Sequence, residues 1–390
     1  MDQRPDIPFN RAGIEGNELA YLEAALRSGH TQSSGDFAKR ASAALREETG
    51  AAEVLLTTSC TSALELSAML LDLEPGDTVI VPSYTFTTTA LAFVRQGARL
   101  VFCDIEPHTL GLDAQHLESL LDDHVRAVVP VHYAGVACDV AGIRRALSGR
   151  PEVAVIEDNA HGLFGRWHGE PLGSLGRFAA QSFHDTKNIV CGEGGALVLN
   201  DAADVDRARV LYDKGTNRQA FFLGQVDKYS WKDVGSSFGL SDLLAAYLCA
   251  QLERREVIQA KRKSVFESYE RLLAPHAEEL DFRLPVLPAG VESAYHMFYV
   301  LLADNTARDS VLHRMREQGV QSTFHYVPLH SSEAGRRFAV RETECPVTTD
   351  ISGRLLRLPF FNNLSADDIE RASAVFLAAV SQASREVTAR

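Results

Sequence analysis

The sequence predicts an α/β fold in which a mostly parallel sheet is covered by helices on both faces and followed by a smaller α+β domain. Between about residues 75 and 200, short apolar runs alternate with helical patterns, which is the rhythm of β–α–β units. The runs are apolar at successive positions rather than at every second one, as in strands buried on both faces. A chain of 390 residues with 45% hydrophobic composition is long enough for two domains.

Six strands are predicted from these runs. They are Thr78–Pro82, Arg99–Ile105, Val125–Val131, Val153–Glu157, Phe178–Phe183 and Ala196–Leu199. Several of them end in polar or small residues, and ligands of such sheets bind at the carboxyl ends of the strands. We therefore expect the functional site at that edge.

A long helical pattern from Ser241 to about Lys263 separates the sheet from the remainder of the chain. We predict a large α/β domain over residues 1–250 and a small α+β domain over residues 251–390. The small domain should contain a strand at His296–Leu302 and a helix at Ala307–Gln318. Ser365 is a candidate N-cap for the last helix.

The charge and the cysteines limit the class of protein. A formal net charge of −13 and a pI near 5.5 argue against a nucleic-acid or anionic-membrane partner, because phosphate would be repelled. No apolar run reaches about 18 residues, so no membrane span is expected, and the first twenty residues lack a secretory pattern. Six cysteines without C-x-x-C pairs indicate reduced thiols in a cytoplasmic enzyme. They are Cys60, Cys103, Cys138, Cys191, Cys249 and Cys345.

One lysine, Lys187, lies in a polar turn between two predicted strands and just before a glycine cluster. A partly desolvated lysine has a lowered pKa, so that it can act as an amine nucleophile and form a Schiff base with an aldehyde cofactor. The alternative is a solvated surface lysine, which is what most lysines are.

A buried-strand pattern brings Asp158 to the end of its strand, and His161 follows three residues later. A carboxylate there could pair with the ring nitrogen of pyridoxal 5'-phosphate (PLP) and keep it protonated, which makes the ring an electron sink. His161 could hydrogen-bond the phenolic oxygen of the same ring. An aspartate that caps a loop and a plain core histidine are the alternatives.

A short polar turn over Leu56–Leu64 leads into a predicted helix, Ala63–Leu71. Helix N-termini bind anions through unpaired N–H groups, and serine or threonine hydroxyls add donors, although an ordinary N-cap explains the same residues. Phe86 follows another predicted strand and could stack on a flat heterocycle, whereas a lone aromatic is more often part of the core.

Four features follow one another along the chain in a specific order. They are the phosphate turn, the aromatic residue, the strand-end Asp-x-x-His and the lysine before a glycine cluster. In this order the chain resembles the DegT/DnrJ/StrS sugar aminotransferases, from Pro-Phe-Asn near the start to Leu-Pro-Phe at residues 358–360. Within that family it is most similar to the dTDP-4-amino-4,6-dideoxygalactose transaminases. The similarity rests on Thr-Thr-Ser-Cys-Thr-Ser-Ala-Leu-Glu, Val-Pro-Ser-Tyr-Thr-Phe, Ser-Phe-His-Asp-Thr-Lys-Asn, Gly-Glu-Gly-Gly-Ala and Asp-Lys-Gly-Thr-Asn-Arg.

The resemblance implies a PLP-dependent transferase of fold type I that works as a homodimer with shared active sites. It implies that Lys187 forms the internal aldimine and moves protons, that Asp158 pairs with the pyridine nitrogen, and that His161 lies at the ring oxygen. The remaining cofactor contacts would come from Phe86, stacked on the ring, and from the phosphate ligands Cys60, Thr61 and Ser182, with Ser237 contributed across the dimer.

The implied reaction is transamination of a dTDP-linked 4-keto-6-deoxyhexose with L-glutamate, which gives a 4-amino-4,6-dideoxy sugar and 2-oxoglutarate. Lys214 and Arg218 of one chain would bind the nucleotide diphosphate over the other chain's cofactor. His325 and Tyr326, together with His330, would contact the hydroxyls of the hexose.

The sequence bears on four other functions. A 3-keto nucleotide sugar as acceptor remains open, and a PLP-dependent sugar dehydratase is disfavoured because that enzyme replaces the lysine by histidine. A binding protein that has lost catalysis is disfavoured by the intact Lys187 and Asp158. A metalloenzyme is disfavoured because the thirteen histidines form no H-x-x-x-H, H-E-x-x-H or Cys/His cluster.

Overall fold

The computed structural model describes residues 6–222 and 224–388, which contain twelve β-strands. They are β1 (Glu53–Thr57), β2 (Thr78–Pro82), β3 (Arg99–Cys103), β4 (Val125–Val128), β5 (Ala154–Asp158), β6 (Arg166–Trp167), β7 (Glu170–Pro171), β8 (Phe178–Ser182), β9 (Gly195–Leu199), β10 (Val291–Glu292), β11 (Tyr299–Leu301) and β12 (Leu355–Arg357).

The same residues contain fourteen α-helices. They are α1 (Glu18–Ser28), α2 (Asp36–Thr49), α3 (Cys60–Leu70), α4 (Thr87–Val94), α5 (Ala114–Leu120), α6 (Val140–Ala146), α7 (Val205–Tyr212), α8 (Arg218–Phe222), α9 (Asp242–Glu253), α10 (Arg255–Leu273), α11 (Asn305–Glu317), α12 (Glu333–Phe338), α13 (Pro346–Arg354) and α14 (Ala366–Thr388). None of them is long and apolar enough to cross a membrane.

A seven-stranded sheet in the order β1-β9-β8-β5-β4-β2-β3 forms the centre of the fold. Strand β9 runs antiparallel to both of its neighbours, β1 and β8, and every other pairing in this sheet is parallel. The expected α/β fold with a mostly parallel sheet is therefore confirmed. Parallel strands align their carboxyl ends, so the ends of β2, β5 and β8 meet at one edge.

Helices cover both faces of this sheet, which explains the continuous apolar runs. Alternate residues of one strand enter different clusters: Val79 and Val81 pack with α3 and α4, and Ile80 packs with α5 and α6 on the opposite face. Near the other edge, α2 and α9 pack against β1 and β9. Because no face of the central strands meets water, polar residues appear only where these strands end.

The C-terminal part of the chain has its own apolar cluster, formed by α10, α11, α14 and the small antiparallel sheet of β11 and β12. Ile7 belongs to this cluster, because its backbone bonds with Gly319 and Gln321 carry it to the end of α11. Residues at the start of the chain thus pack against its C-terminal part. The division at residue 250 stays a prediction.

The structure changes several predicted bounds. The helix expected over Ser241–Lys263 is two helices, because at Arg254 the backbone N–H bonds to Gln251, three residues back, and ends α9. Periodicity could not detect a break of one residue. The helix expected from Ala63 already begins at Cys60. Three of the six predicted strands end earlier than expected, at Cys103, Val128 and Ser182. Thr78–Pro82 has the predicted bounds, the strand expected at Val153–Glu157 lies one residue later, and the last strand begins one residue earlier, at Gly195. At the last helix, the hydroxyl of Ser365 accepts from the N–H of Asp368 at 3.1 Å, as expected of an N-cap.

Candidate active site

Asp158 is the last residue of β5, and its carboxylate is fixed at the sheet edge. It is 5% exposed and accepts a hydrogen bond from the Thr89 hydroxyl at 2.7 Å and one from the N–H of Ala160 at 3.2 Å. Thr89 lies in α4, and its hydroxyl also contacts that of Thr85 at 2.8 Å. This pairing of hydroxyls holds the carboxylate in one orientation.

Behind Asp158, a second buried carboxylate fixes the end of β5. Glu157 accepts from the N–H groups of Gly173, Leu175 and Gly176 at 2.7–2.8 Å, and it pairs with His132 at 2.8 Å. Burial disfavours charge on His132, but its contacts with Cys138 and Glu157 raise its pKa to about 10. The strand end is therefore held by several bonds at once.

Lys187 lies between β8 and β9 in a turn that is closed by main-chain bonds. Its N–H donates to the carbonyl of His184 at 2.9 Å, and the next residue, Asn188, bonds to the carbonyl of Ala294 and to the His296 ring. Desolvation lowers the pKa of Lys187 to about 8, whereas Cys60 and Asp158 oppose this shift and Arg357 adds to it. A large neutral fraction near pH 8 makes this amine a nucleophile.

His161 stacks on His296, with the ring centroids 4.1 Å apart and 12° between the planes. Its Nδ1 is buried and has no hydrogen-bond partner among the residues that the structure describes. Desolvation, reinforced by Lys187, His325 and Arg357, lowers the pKa of His161 well below its ordinary value. The ring is therefore neutral, and a buried polar nitrogen is left without a protein partner.

The predicted phosphate turn is the N-terminus of α3. The hydroxyl of Ser59 caps this helix by accepting from the N–H of Ser62 at 3.1 Å, and Cys60 and Thr61 form its first turn. A Cβ on Gly195 would lie 2.3 Å from the carbonyl carbon of Ser59, so only glycine lets β9 approach this turn. Ser182, paired in register with Gly195, lies beside it.

Two residues of the C-terminal part, His325 and Tyr326, lie next to these side chains. The His325 ring contacts the Tyr133 hydroxyl at 3.0 Å and lies 6.2 Å from the ring of His161. Tyr326 lies 6.3 Å from Phe86, which is 56% exposed. An exposed ring after a buried strand is a free stacking surface.

Three other predicted residues, two for the substrate and one for the phosphate, line a second cavity. Lys214, Arg218 and Ser237 line a separate cavity of about 1150 Å³ next to α2, whose lining does not include Lys187. Lys214 pairs with the adjacent Asp213 at 2.8 Å. His330, expected at the hexose, bonds to the Ser83 hydroxyl at 2.6 Å.

Sequence reasoning did not identify several residues at the site. They are Thr89, Tyr133, Asn188, His296 and Arg357. Only Thr89 gave a signal along the chain, because it lies in the run of threonines that follows the predicted strand Thr78–Pro82 and begins α4. The others reach the site only through the fold, and a pattern along the chain does not report that.

A half-buried lysine with a lowered pKa, a fixed strand-end carboxylate and a helix N-terminus meet at the carboxyl edge of a seven-stranded, mostly parallel sheet. This combination defines the PLP-dependent transferases of fold type I. The chain belongs to the DegT/DnrJ/EryC1/StrS aminotransferase family, whose model matches residues 13–376. Aminotransferases of this family are PLP-dependent, so PLP is the cofactor.

Solved structures agree with this assignment. The aminotransferase TlmJ from Streptoalloteichus hindustanus is 30% identical, with 96% of this chain and 99% of that chain covered and a TM-score of 0.88. DesV from S. venezuelae, solved with a ketimine intermediate, is 26% identical over 97% and 99% of the two chains, with a TM-score of 0.86. Spr1654 from Streptococcus pneumoniae in its PMP form shares the fold at 23% identity, with 98% and 100% covered and a TM-score of 0.90.

Proposed function

We propose that this aminotransferase moves the amino group of L-glutamate to a dTDP-linked 4-keto-6-deoxyhexose and so forms a 4-amino-4,6-dideoxy sugar. The observation that carries the proposal is the meeting of Lys187, Asp158 and His161 at one edge of the sheet. PLP, when bound, withdraws electrons from the carbon that exchanges its proton. The side chains described below bind the cofactor and carry the proton.

The side chains fit this cofactor in three ways. The unpartnered Nδ1 of His161 can contact the ring oxygen, and the exposed Phe86 can stack on the ring. The Asp158 carboxylate, which accepts from Thr89, lies close enough to Lys187 to raise the pKa of the lysine. The first turn of α3 offers unpaired N–H groups to a phosphate, with the side chains of Cys60, Thr61 and Ser182 beside it.

Each residue has a defined task in the proposed reaction. When PLP is bound, Lys187 would hold it covalently, and the Lys187 amine would carry the proton between the donor's α-carbon and the cofactor. Asp158 would keep the ring nitrogen protonated. Tyr326 and His325 close the pocket from the C-terminal part and exclude water from the reacting atoms.

The sugar acceptor is inferred from the family, and the position of its keto group is inferred from the motifs that resemble 4-aminotransferases. A panel of nucleotide-linked 4-keto and 3-keto sugars, with L-glutamate as donor, tests it. We expect the 4-keto-6-deoxy sugar to give the highest kcat/KM, with 2-oxoglutarate followed by a coupled assay and the product by mass. A preference for a 3-keto sugar, or for no nucleotide sugar, would refute the assignment of the acceptor.

We further propose a homodimer in the cytoplasm, in which Lys214, Arg218 and Ser237 of each chain serve the other chain's site. The cavity that they line lies apart from Lys187 of their own chain, which supports a role across the dimer. Charge-assisted bonds from Lys214 and Arg218 would hold a diphosphate that the net charge of −13 would otherwise repel.

Mixed dimers test this arrangement. Lys187→Ala and a double variant of Lys214→Ala and Arg218→Ala should each be impaired alone. If the cations act across the dimer, co-expression restores activity, because one of the two sites in a mixed dimer carries neither change. No recovery in purified mixed dimers would show that the cations act within their own chain.

A further inference from the structure

The hydroxyl of Thr89 does not form the hydrogen bond that is usual for a buried threonine in a helix. Thr49 in α2 and Ser373 in α14 donate to the carbonyl four residues back, each at 2.8 Å, which is the common local bond of such residues. Thr89 instead donates to Asp158 Oδ2 at 2.7 Å, in a segment 69 residues away. Its hydroxyl therefore links α4 to the end of β5.

The hydrogen bonds from Thr85 through Thr89 to Asp158 run in one direction. An ionised carboxylate can only accept, so the proton of the Thr89 hydroxyl lies towards Asp158. The Thr89 oxygen then accepts from the Thr85 hydroxyl, which lies 2.8 Å away. Both threonines are buried. Hydrogen bonds in such a chain polarise one another, so the Thr85 hydroxyl strengthens the bond that Thr89 donates.

The Asp158 carboxylate can accept further hydrogen bonds beside these. Its donors among the described residues are the Thr89 hydroxyl at Oδ2 and the N–H of Ala160 at Oδ1, the latter at 3.2 Å. A carboxylate has about four acceptor positions, so about two of them remain for other donors. The Thr89 hydroxyl can therefore act on this carboxylate while the ring nitrogen of a bound PLP donates to it.

The position of one proton matters in such a pair. If Asp158 and the ring nitrogen share a proton in a buried site, desolvation favours the uncharged arrangement, with the proton on the carboxylate. A hydrogen-bond donor to a carboxylate favours its charged form. The Thr89 hydroxyl therefore opposes transfer of the proton to Asp158, and the ring withdraws electrons only while its nitrogen keeps that proton.

We propose that Thr85 and Thr89 are positioning residues that keep this proton on the ring nitrogen of PLP, because they donate in sequence to Asp158. The inference rests on the proposed pairing of Asp158 with that nitrogen. It depends on the identity of neither the amino donor nor the sugar. The two hydroxyls act through the carboxylate, so their effect is measurable without any substrate.

The experiment loads the enzyme with PLP that carries nitrogen-15 in its ring and records the nitrogen chemical shift by solid-state NMR. Protonated and neutral pyridine nitrogens differ strongly in this shift. We expect wild type at the protonated position and Asp158→Asn at the neutral position, which marks the other end of the scale. Thr89→Val removes the hydroxyl at nearly constant volume and should move the signal towards the neutral end. Thr89→Ser restores the hydroxyl and should keep the signal of wild type.

Thr348→Val is the matched control. Thr348 is also buried, and its hydroxyl donates at 2.7 Å to Asp104, a carboxylate that likewise follows a parallel strand. This variant should keep the chemical shift of wild type. If Thr89→Val does not fold or load, as judged by melting temperature and cofactor absorbance, Thr85→Val takes its place. It should give a smaller change in the same direction, because only the outer hydroxyl is lost.

The donor half-reaction provides a second measurement. Thr89→Val should lower its rate at saturating L-glutamate by about 10-fold and leave the half-saturating concentration unchanged. A chemical shift equal to that of wild type in the valine variant of Thr89, or of Thr85 in its place, would overturn the proposal, as would an equal change in Thr348→Val. Both results leave the pairing of Asp158 intact. A shift equal to that of wild type in Asp158→Asn would overturn that pairing and this proposal with it.

Discussion

Replacing Asp158 by asparagine should leave PLP bound but slow the donor half-reaction by about 10²-fold. Asparagine keeps the size of the side chain and can still accept from Thr89 through its amide oxygen. It cannot hold the ring nitrogen protonated. Because Asp158 is 5% exposed, its bond to that nitrogen is little screened by water, and about 3 kcal/mol is expected for a charge-assisted bond of this kind. That energy corresponds to about 10²-fold in rate.

The assay is single-turnover conversion of the PLP-loaded variant with L-glutamate, read by cofactor absorbance. Asp104→Asn is the matched control, because Asp104 also follows a parallel strand, is 5% exposed and accepts from Thr348. It should lose stability but keep the rate of wild type. A near-normal rate for Asp158→Asn would show that Asp158 only caps its loop and would refute its assignment to the ring nitrogen.

Three further predictions concern the same site. Lys187→Ala should fold with a melting temperature within a few degrees of wild type. It should lose turnover by at least about 10⁴-fold, because covalent attachment and proton transfer are both removed. Substantial remaining activity would disprove the role of this lysine. Glu157→Gln should lower the free energy of unfolding by about 3–5 kcal/mol in chemical denaturation, because the buried charge that pairs with His132 is removed. A loss below about 1 kcal/mol would contradict a stabilising role of this ion pair. The rate at which PLP loads onto the unloaded protein should rise with pH through a midpoint near 8, as Lys187 loses its proton. Asp158→Asn should move that midpoint down, because the Asp158 carboxylate raises the pKa of Lys187. An upward shift of the midpoint would contradict this arrangement.

The sequence predicted those parts of the molecule that depend on local pattern. Continuous apolar runs located six of the seven strands of the central sheet, because strands covered on both faces have no polar positions until they end. The same logic predicted that Asp158 lies at a strand end and that Lys187 lies between two strands. The ends of helices were predicted less accurately, because the one-residue break at Arg254 leaves the apolar periodicity unchanged.

Contacts between distant segments could not be predicted from the sequence. Arg357 stands 170 residues from Lys187, and only the packing of the C-terminal part against the sheet brings the two together. The same packing makes His296 the stacking partner of His161. Lys214, Arg218 and Ser237 were assigned to substrate and phosphate through family resemblance, and a single chain does not bring them to Lys187.

Reduction of the PLP-loaded enzyme with borohydride, followed by peptide mass spectrometry, directly identifies the lysine that holds the cofactor. We expect one reduced pyridoxyl group per chain, on the peptide that contains Lys187, and none in Lys187→Ala. Modification confined to another lysine, or a loaded enzyme with no modified lysine, would contradict it.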